Sequence, residues 1–561
     1  MKIIPTLLLL FLLSAVTIEY AAAQSLPDST VAKINRIFRR WDKNTSPGCV
    51  VGIIRNDSLI FSKGYGMANL EYSIPNAPST IFHMASVSKQ FTAYSIVLLA
   101  KQGKLKLDDD VRKYLPWFPK LKATITIRNL LNHTSGIRDQ WQLLAISGTR
   151  LDDVITQDQV IKILSKQQAL NFMPGEQYSY SNSGFTMLSE IVKSVSGRSL
   201  RQFTDSAIFK PLGMNDTHFH DDYEEIVKGR SYSYDDEGNE KYKNAVLSYS
   251  VSGATSLFTD INDMAKWVEN FYTPVAGDAN DIKQLTQKGK LNSGKEIDYA
   301  LGINNGKYKG WQQFSHSGGD AGYRTFVSVF PGAKMGFLVF CNLGNMNPNG
   351  LTEKLQDIFI KDISGQGKDV GENDEEEKLP EPLKEAEIKK YAGDYISDEG
   401  TRLQLTIKEG RIYCYTNSDT DVLVKQSKDS FTIAGSAGFA FVFSNPGVQM
   451  KAKVVMPDVI MQLNKYVPVK NPSDDLLQAY VGNYYCPELE CHYGIQLKNH
   501  QLVLTNPKYN DAAITLAGTD HLFTDNWWMN HLLVKRNSTG KITGFEVNSG
   551  RIMHLAFNKR D

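Results

Sequence analysis

The stretch "GQGKDVGENDEEEKLPEP", residues 365–382, constrains this chain most, because it separates two textures that cannot share one core. It is polar, acidic and closed by prolines, the composition of a linker that buries nothing. Before it, helical periodicities lie between strand-like runs. After it, short alternating strands succeed one another with few helix signals. At 561 residues the chain is in any case too long for one ordinary core.

Upstream, "GCVVGIIRNDSLIFSKGYGMAN" holds two β-rich runs, 50–55 and 58–63, joined by Asn56-Asp57, a hairpin signature. Helical patterns follow over 90–102, 158–167 and 184–197, the last closing on a glycine cap. From Trp311 the runs "WQQFSHSGG", "YRTFVSVFPG" and "KMGFLVFCNLG" read as an antiparallel meander with a turn at Pro331-Gly332. A final helical run, "LTEKLQDIFIKDI", closes the unit. Strands at both ends with helices between them predict one sheet built from N- and C-terminal pieces, covered by helices as an α/β sandwich.

Downstream, "IKKYAGDYISDEGTRLQLTIKEGRIYCYT" (388–416) and "LQAYVGNYYCPELECHYGIQLKNHQLVLT" (477–505) share a Y-x-G-x-Y start at Tyr391 and Tyr480. That spacing suits one small antiparallel β-barrel per repeat, two in succession. The expected division is a leader over 1–23, a mixed α/β unit over 24–366, an acidic linker over 367–383, and barrels over 384–470 and 471–561.

The N-terminus, "MKIIPTLLLLFLLSAVTIEYAAAQS", has an early lysine, an apolar run from Ile3 to Val16 and small residues before Gln24, the pattern of a secretory leader. Its apolar run falls short of the ~20 residues a membrane span needs. The expectation is a periplasmic or secreted protein with no stable span after leader cleavage. Lys plus Arg number 62 against 61 Asp plus Glu, for a net charge of +1, so nothing argues for a nucleic-acid partner. Five cysteines are too few for a disulfide scaffold. Cys486 and Cys491 of "CPELEC" either close a short loop or stay free, and no cysteine group has metal-ligand spacing.

The chemistry-bearing candidates start with "ASVSKQFTAYSIVLLAKQGKL", where Ser86 and Lys89 lie at the front of an apolar helix. A helix N-terminus is positive and repels an ammonium, so a lysine there conflicts with its surroundings. Residues three apart share a helix face, which brings hydroxyl and amine within hydrogen-bonding reach. The apolar setting pushes Lys89 toward the neutral amine that takes a proton from serine, and Ser86 offers its own N–H as half of an oxyanion hole. S-x-x-K arises by chance roughly once or twice in a chain this long, so it gains weight only from its company.

"PGEQYSYSNSGFTMLSEI" supplies Tyr180 and Asn182 in a loop before a helix. Tyr180, if close to Lys89 and partly deprotonated by it, shuttles the serine proton to the leaving group, while Asn182 orients Lys89 and binds the substrate amide. Ser181, Asn182 and Ser183 read equally well as a helix N-cap, and Tyr178 competes for the tyrosine role. "FSHSGGDAGYRTF" places His316, Ser317 and Gly318 on or beside a strand. Small residues there let a ligand backbone approach, and the Gly319 N–H supplies a second oxyanion donor. A histidine in such a place is also commonly structural. His133 in "LLNHTSGI" reads as part of a helix stop. No H-E-x-x-H, G-x-S-x-G or glycine-rich phosphate loop competes.

Ser86-Val87-Ser88-Lys89, Tyr180-Ser181-Asn182 and His316-Ser317-Gly318, in that order, resemble the serine β-lactamase and penicillin-binding-protein superfamily. The likeness spans about Ser29 to Ser364 and is nearest to the branch of class C β-lactamases, D-alanyl-D-alanine carboxypeptidases, D-aminopeptidases and related esterases. It implies a β-lactamase-like antiparallel sheet with a helical cluster, followed by two small lipocalin-like barrels. It also implies Ser86 as acylated nucleophile, Lys89 as proton acceptor, catalytic roles for Tyr180 and Asn182, an oxyanion hole of Ser86 and Gly319, and substrate binding by His316, Ser317 and Gly318.

One departure matters. Many relatives carry K-T-G as the third motif, and its lysine binds a substrate carboxylate; a mostly neutral imidazole is a weaker anchor. The expected function is therefore an exported serine hydrolase acting on amide bonds of D-amino-acid-containing peptides or amides. Alternatives within the fold are a carboxylesterase, a β-lactamase or a D-alanyl-D-alanine carboxypeptidase. The alternative from another class is a catalytically silent penicillin- or muropeptide-binding protein. The implied partner is a small peptide or ester substrate, with no cofactor and no metal.

Overall fold

The computed structural model describes residues 26–361, 363, 380–397, 401–415, 420–433, 440–444, 450–455, 460–469, 471–518 and 520–560. The expected leader, 1–23, and residues 367–379 of the expected linker lie outside the described residues.

A six-stranded antiparallel sheet runs in the order Asn304–Tyr308, Trp311–Asp320, Tyr323–Phe330, Met335–Cys341, Cys49–Arg55, Leu59–Tyr65. The N-terminal hairpin therefore pairs with the last strand of the meander, from Cys49↔Cys341 to Arg55↔Met335. The Asn56-Asp57 turn takes positive φ at both residues, 48° and 60°, which matches the twist of the flanking strands.

Side chains alternate across this sheet between two cores. Cys49, Val51 and Ile53 pack with Ile34 and Phe38 of the helix Asp28–Phe38 and with Leu355 of the helix Pro348–Phe359. Val50 and Ile54 join the larger core under the helical cluster. Burial on both faces explains why this strand is apolar throughout. At Gly52 a Cβ would lie 2.7 Å from Ile261 Cγ2, so the helix Ile261–Glu269 sits directly on the sheet.

Within the cluster, every residue from Ser88 to Leu99 of the helix Ser88–Lys101 is buried. It packs against the helix Asn182–Ser196, which ends on Gly197 in the left-handed conformation that glycine adopts without strain. Among the described residues no helix is long and apolar enough to cross a membrane.

The C-terminal region forms two barrel-shaped sheets. Eight strands from Gly393–Ile396 to Ile460–Tyr466 close on themselves. Nine more, from Gly482–Cys486 to Ile552–Arg560, curl until the first pairs with the last. The repeated Y-x-G-x-Y has one structural meaning in both. The second tyrosine donates to the carbonyl of the first, Tyr395 to Tyr391 at 2.8 Å and Tyr484 to Tyr480 at 2.6 Å. Lys465 and Lys559 each lie 5.8 Å from the ring of that second tyrosine. Cys486 and Cys491 face each other across a hairpin as free thiols.

The second barrel is fastened to the α/β unit. Buried Arg138 reaches both oxygens of Glu488 at 2.8 Å, and Tyr493 and Tyr509 donate to the carbonyls of Ile146 and Ala145. Apolar residues of that barrel, Tyr484 and Phe557 among them, continue the larger core.

Candidate active site

Segments far apart in the chain converge on a cavity of about 470 Å³ whose wall includes Ser86, Tyr180, Asn182, His316, Gly319 and Arg551. Ser86 lies on a 3₁₀ turn, Ala85–Val87, immediately before the buried helix. The turn is held on three sides. Ser88 Oγ donates to Ala85 O at 2.5 Å and accepts from Leu257 N at 3.0 Å, and Thr325 Oγ1 donates to Met84 O at 3.0 Å. Ala85 takes φ 47°, a conformation costly for alanine that such bracing maintains.

Lys89 is fully buried, and its Nζ meets Ser86 Oγ at 3.0 Å, Asn182 Oδ1 at 2.9 Å and Ala254 O at 2.6 Å. The count is informative. A neutral amine has two N–H donors and one lone pair, which match two obligate acceptors and the serine hydroxyl proton. An ammonium donates to all three, so the same geometry serves the amine before and after proton transfer. Burial lowers Lys89 to about 7, with Asp320 opposing that shift and Arg551 assisting it.

Asn182 opens its helix with both the backbone N and Nδ2 donating to Asp139 Oδ2 at 2.8 Å. A carboxylate cannot donate, so the amide is oriented with Oδ1 toward Lys89. Asn182 thus orients Lys89 as expected, while its amide nitrogen is already engaged by Asp139. Asp139 itself caps the helix Gln140–Ile146.

Tyr180 borders Ser86 as a hydrogen-bonding neighbour, and Lys89 Nζ lies 5.0 Å from its ring centroid. Burial outweighs the Ser86 contact and raises the phenol, so the structure favours a neutral hydroxyl over the partly deprotonated tyrosine expected from sequence. His133, read as structural, supports this loop. Its ring centroid is 4.1 Å from that of Tyr180, and its Nδ1 accepts from Ser181 N at 3.2 Å. Tyr178 also lines the cavity, its ring tilted 43° to that of Tyr299 with the centroids 5.8 Å apart.

The strand Trp311–Asp320 closes the other wall. His316 Nδ1 lies 2.6 Å from Ser317 O and Nε2 lies 2.8 Å from the Tyr299 hydroxyl. A carbonyl only accepts, so Nδ1 carries the proton and Nε2 accepts from the phenol. Burial first, then the Lys89 charge, lower His316 to about 3, leaving a neutral ring with both nitrogens occupied. Gly318 is needed for packing: a Cβ there would stand 2.4 Å from both Met84 O and Thr325 Oγ1. Gly319 is open, with no atom closer than 3.6 Å to a built Cβ. Ser317 and Gly319 line the cavity with Ser86, whereas Gly318 faces the turn.

Three features escaped sequence reading. Asp139 stands at a helix N-cap, which signals a helix start and not a site; Thr255 donates to Asp320, beside which His83 Nε2 lies at 3.0 Å; and Arg551 arrives from the second barrel. No local pattern marks any of them as part of a site. His218, His220 and Glu225 have ligand atoms within 4.8 Å of one another, the one such group among the described residues. Arg201 binds both Glu225 oxygens, at 2.6 and 2.8 Å, and that cation opposes a metal.

The family model described as Beta-lactamase matches residues 34–358. Penicillin-binding protein 4* of Bacillus subtilis is 26% identical over 438 residues, 73% of this chain and 95% of that protein. A D-aminopeptidase of Gluconobacter oxydans is 27% identical over 281 residues, which are 50% of this chain and 52% of the relative. Among solved structures, the octameric penicillin-binding protein homologue from Pyrococcus abyssi superposes with TM-score 0.54 at 22% identity, covering 78% of this chain and 99% of that one.

Proposed function

Because the chain belongs to the β-lactamase family of serine hydrolases, we propose that it cleaves amide bonds of D-amino-acid-containing peptides or amides through an acyl-enzyme on Ser86. The observation that carries this reading is Lys89, a buried amine brought to about 7 and placed 3.0 Å from Ser86 Oγ. In the proposed cycle neutral Lys89 takes the Ser86 proton as Oγ attacks the carbonyl carbon, and the N–H groups of Ser86 and Gly319 receive the oxyanion. The Tyr180 hydroxyl then protonates the leaving nitrogen as the C–N bond breaks, and the Lys89 ammonium restores the Tyr180 proton. Water, deprotonated by the same pair, hydrolyses the ester and returns the proton to Ser86.

Two observations support the amide substrates named. A D-aminopeptidase is among the relatives, and His316 stands where a carboxylate-binding lysine is expected in β-lactamases, neutral and with both nitrogens engaged. A fluorophosphonate probe tests the nucleophile: the expected result is a covalent adduct on wild type that is lost in Ser86→Ala. D- and L-aminoacyl p-nitroanilides run beside short p-nitrophenyl esters test the substrate class. Turnover confined to the esters would replace the peptidase reading by a carboxylesterase.

A further inference from the structure

We propose that Arg551 forms an anion-binding subsite of the Ser86 cavity and selects substrates that carry a carboxylate near the scissile bond, an inference that rests on the hydrolase reading above. Arg551 lies on the turn between the strands Ile542–Ser549 and Ile552–Arg560 of the second barrel. Hydrogen bonds bind that turn to the hydrolase unit on both sides of the residue. Arg551 N donates to Gln142 Oε1 at 2.7 Å and Gln142 Nε2 to Ser549 O at 2.9 Å. Asn171 Nδ2 donates to Arg551 O at 2.9 Å, and Met553 N to Asn171 Oδ1 at 2.8 Å. Buried Arg138 adds bonds of 3.0 to 3.1 Å to the carbonyls of Met553 and His554. The preceding Gly550, at φ 57°, fits because a Cβ would stand 2.9 Å from Gln142 Nε2. The backbone is pinned, and the side chain projects into the cavity.

The guanidinium stands over the Tyr180 ring, with Cζ 4.7 Å from its centroid. Among the described residues it donates no hydrogen bond. Its nearest counter-charge, Asp139 Oδ2, is 3.7 Å away and already accepts twice from Asn182. The side chain is 45% exposed and lines the cavity, so its planar fork of donors is accessible to a substrate bound there. Such a fork matches a carboxylate through two parallel charge-assisted bonds. The other charged group on the wall, Asp320, already accepts from Thr255 beside His83. The fork of uncommitted donors on Arg551, rather than the summed charge of a cavity that Asp139 and Asp320 also border, is what a carboxylate at hydrogen-bonding range engages. The carboxylate belongs either to the acyl fragment retained on Ser86 or to the leaving residue as its α-carboxylate.

The test compares kcat/KM within two matched pairs for wild type, Arg551→Met and Arg551→Lys. p-Nitrophenyl hemiglutarate against p-nitrophenyl valerate places the carboxylate on the acyl side. N-acetyl-D-alanyl-D-alanine against its C-terminal amide places it on the leaving side. The expected result is that Arg551→Met lowers the acid-to-neutral ratio about 10- to 100-fold in one pair, the span of a lost charge-assisted hydrogen bond, with partial retention in Arg551→Lys. Ratios in both pairs that move by less than about threefold, or equal losses for acid and neutral members, would overturn the subsite while a fluorophosphonate adduct on Ser86 keeps the hydrolase reading intact. Absence of that adduct in wild type overturns the hydrolase reading and the subsite with it.

Discussion

If Lys89 accepts the serine proton, the rate at which Ser86 is acylated follows the neutral fraction of one buried amine. At an ordinary lysine value of ~10.4, only about 0.04% of the amine is neutral at pH 7. At the value of about 7 set by burial, half is neutral, roughly a thousandfold more base. The acylation rate should therefore rise about tenfold from pH 5 to 6, bend near 7 and flatten by pH 8 to 9. Stopped-flow or mass-resolved labelling with a fluorophosphonate, whose own reactivity is constant over that range, reads this limb directly.

The same shift has a signature in stability. Lys89 titrates lower in the folded protein than in the unfolded chain, so between about pH 7 and 10.5 the unfolded chain binds more protons. Folded stability then rises with pH across that window. The cost is fully present below 7 and disappears above 10.5. Relative to Lys89→Met, wild type should gain roughly 2 kcal/mol between pH 7 and 9 in urea melts, the amount that follows from a shift of this size. An acid limb that continues to climb past pH 9, together with parallel stability curves for the two proteins, would refute the reasoning.

Three further outcomes are expected. Tyr180→Phe should slow amide hydrolysis by about 10²–10⁴-fold while sparing p-nitrophenyl esters, whose leaving group departs without a proton; kcat/KM for the two substrates gives the contrast. Glu488→Ala leaves Arg138 buried and unpaired and should cost about 3–5 kcal/mol by chemical denaturation, with much of the loss recovered in Arg138→Met/Glu488→Leu. Gly318→Ala drives a methyl toward Met84 O and Thr325 Oγ1, displaces the Ser86 turn, and should reduce the fluorophosphonate labelling rate at least about tenfold, as ångström-scale misplacement of a reacting group does.

Much of the site was legible because its signals are short in sequence. Ser86 and Lys89 share a turn, Tyr180 and Asn182 share a loop, and His316 to Gly319 share a strand, so residue spacing alone carries their proximity. The role of Gly318 was misread for want of a neighbour: it makes room for the Met84 backbone rather than for a ligand. Tyr180 was expected to lean toward phenolate, but the balance between desolvation and charge depends on how deeply His133 and Tyr299 bury it.

The sequence by itself determined the local order of this protein: the Asn56-Asp57 hairpin, the sheet built from both ends of the unit, the paired Tyr391 and Tyr480 repeats, and the three motifs. Hydrophobic period and turn chemistry act between near neighbours, and a sequence displays them directly. Only the tertiary structure decided the charges. Desolvation of Lys89, the double engagement of His316, the orientation of Asn182 by Asp139 and the arrival of Arg551 from the second barrel all depend on which distant surfaces meet and exclude water. Electrostatics in a buried site belongs to the whole surrounding volume, and no run of residues encodes it.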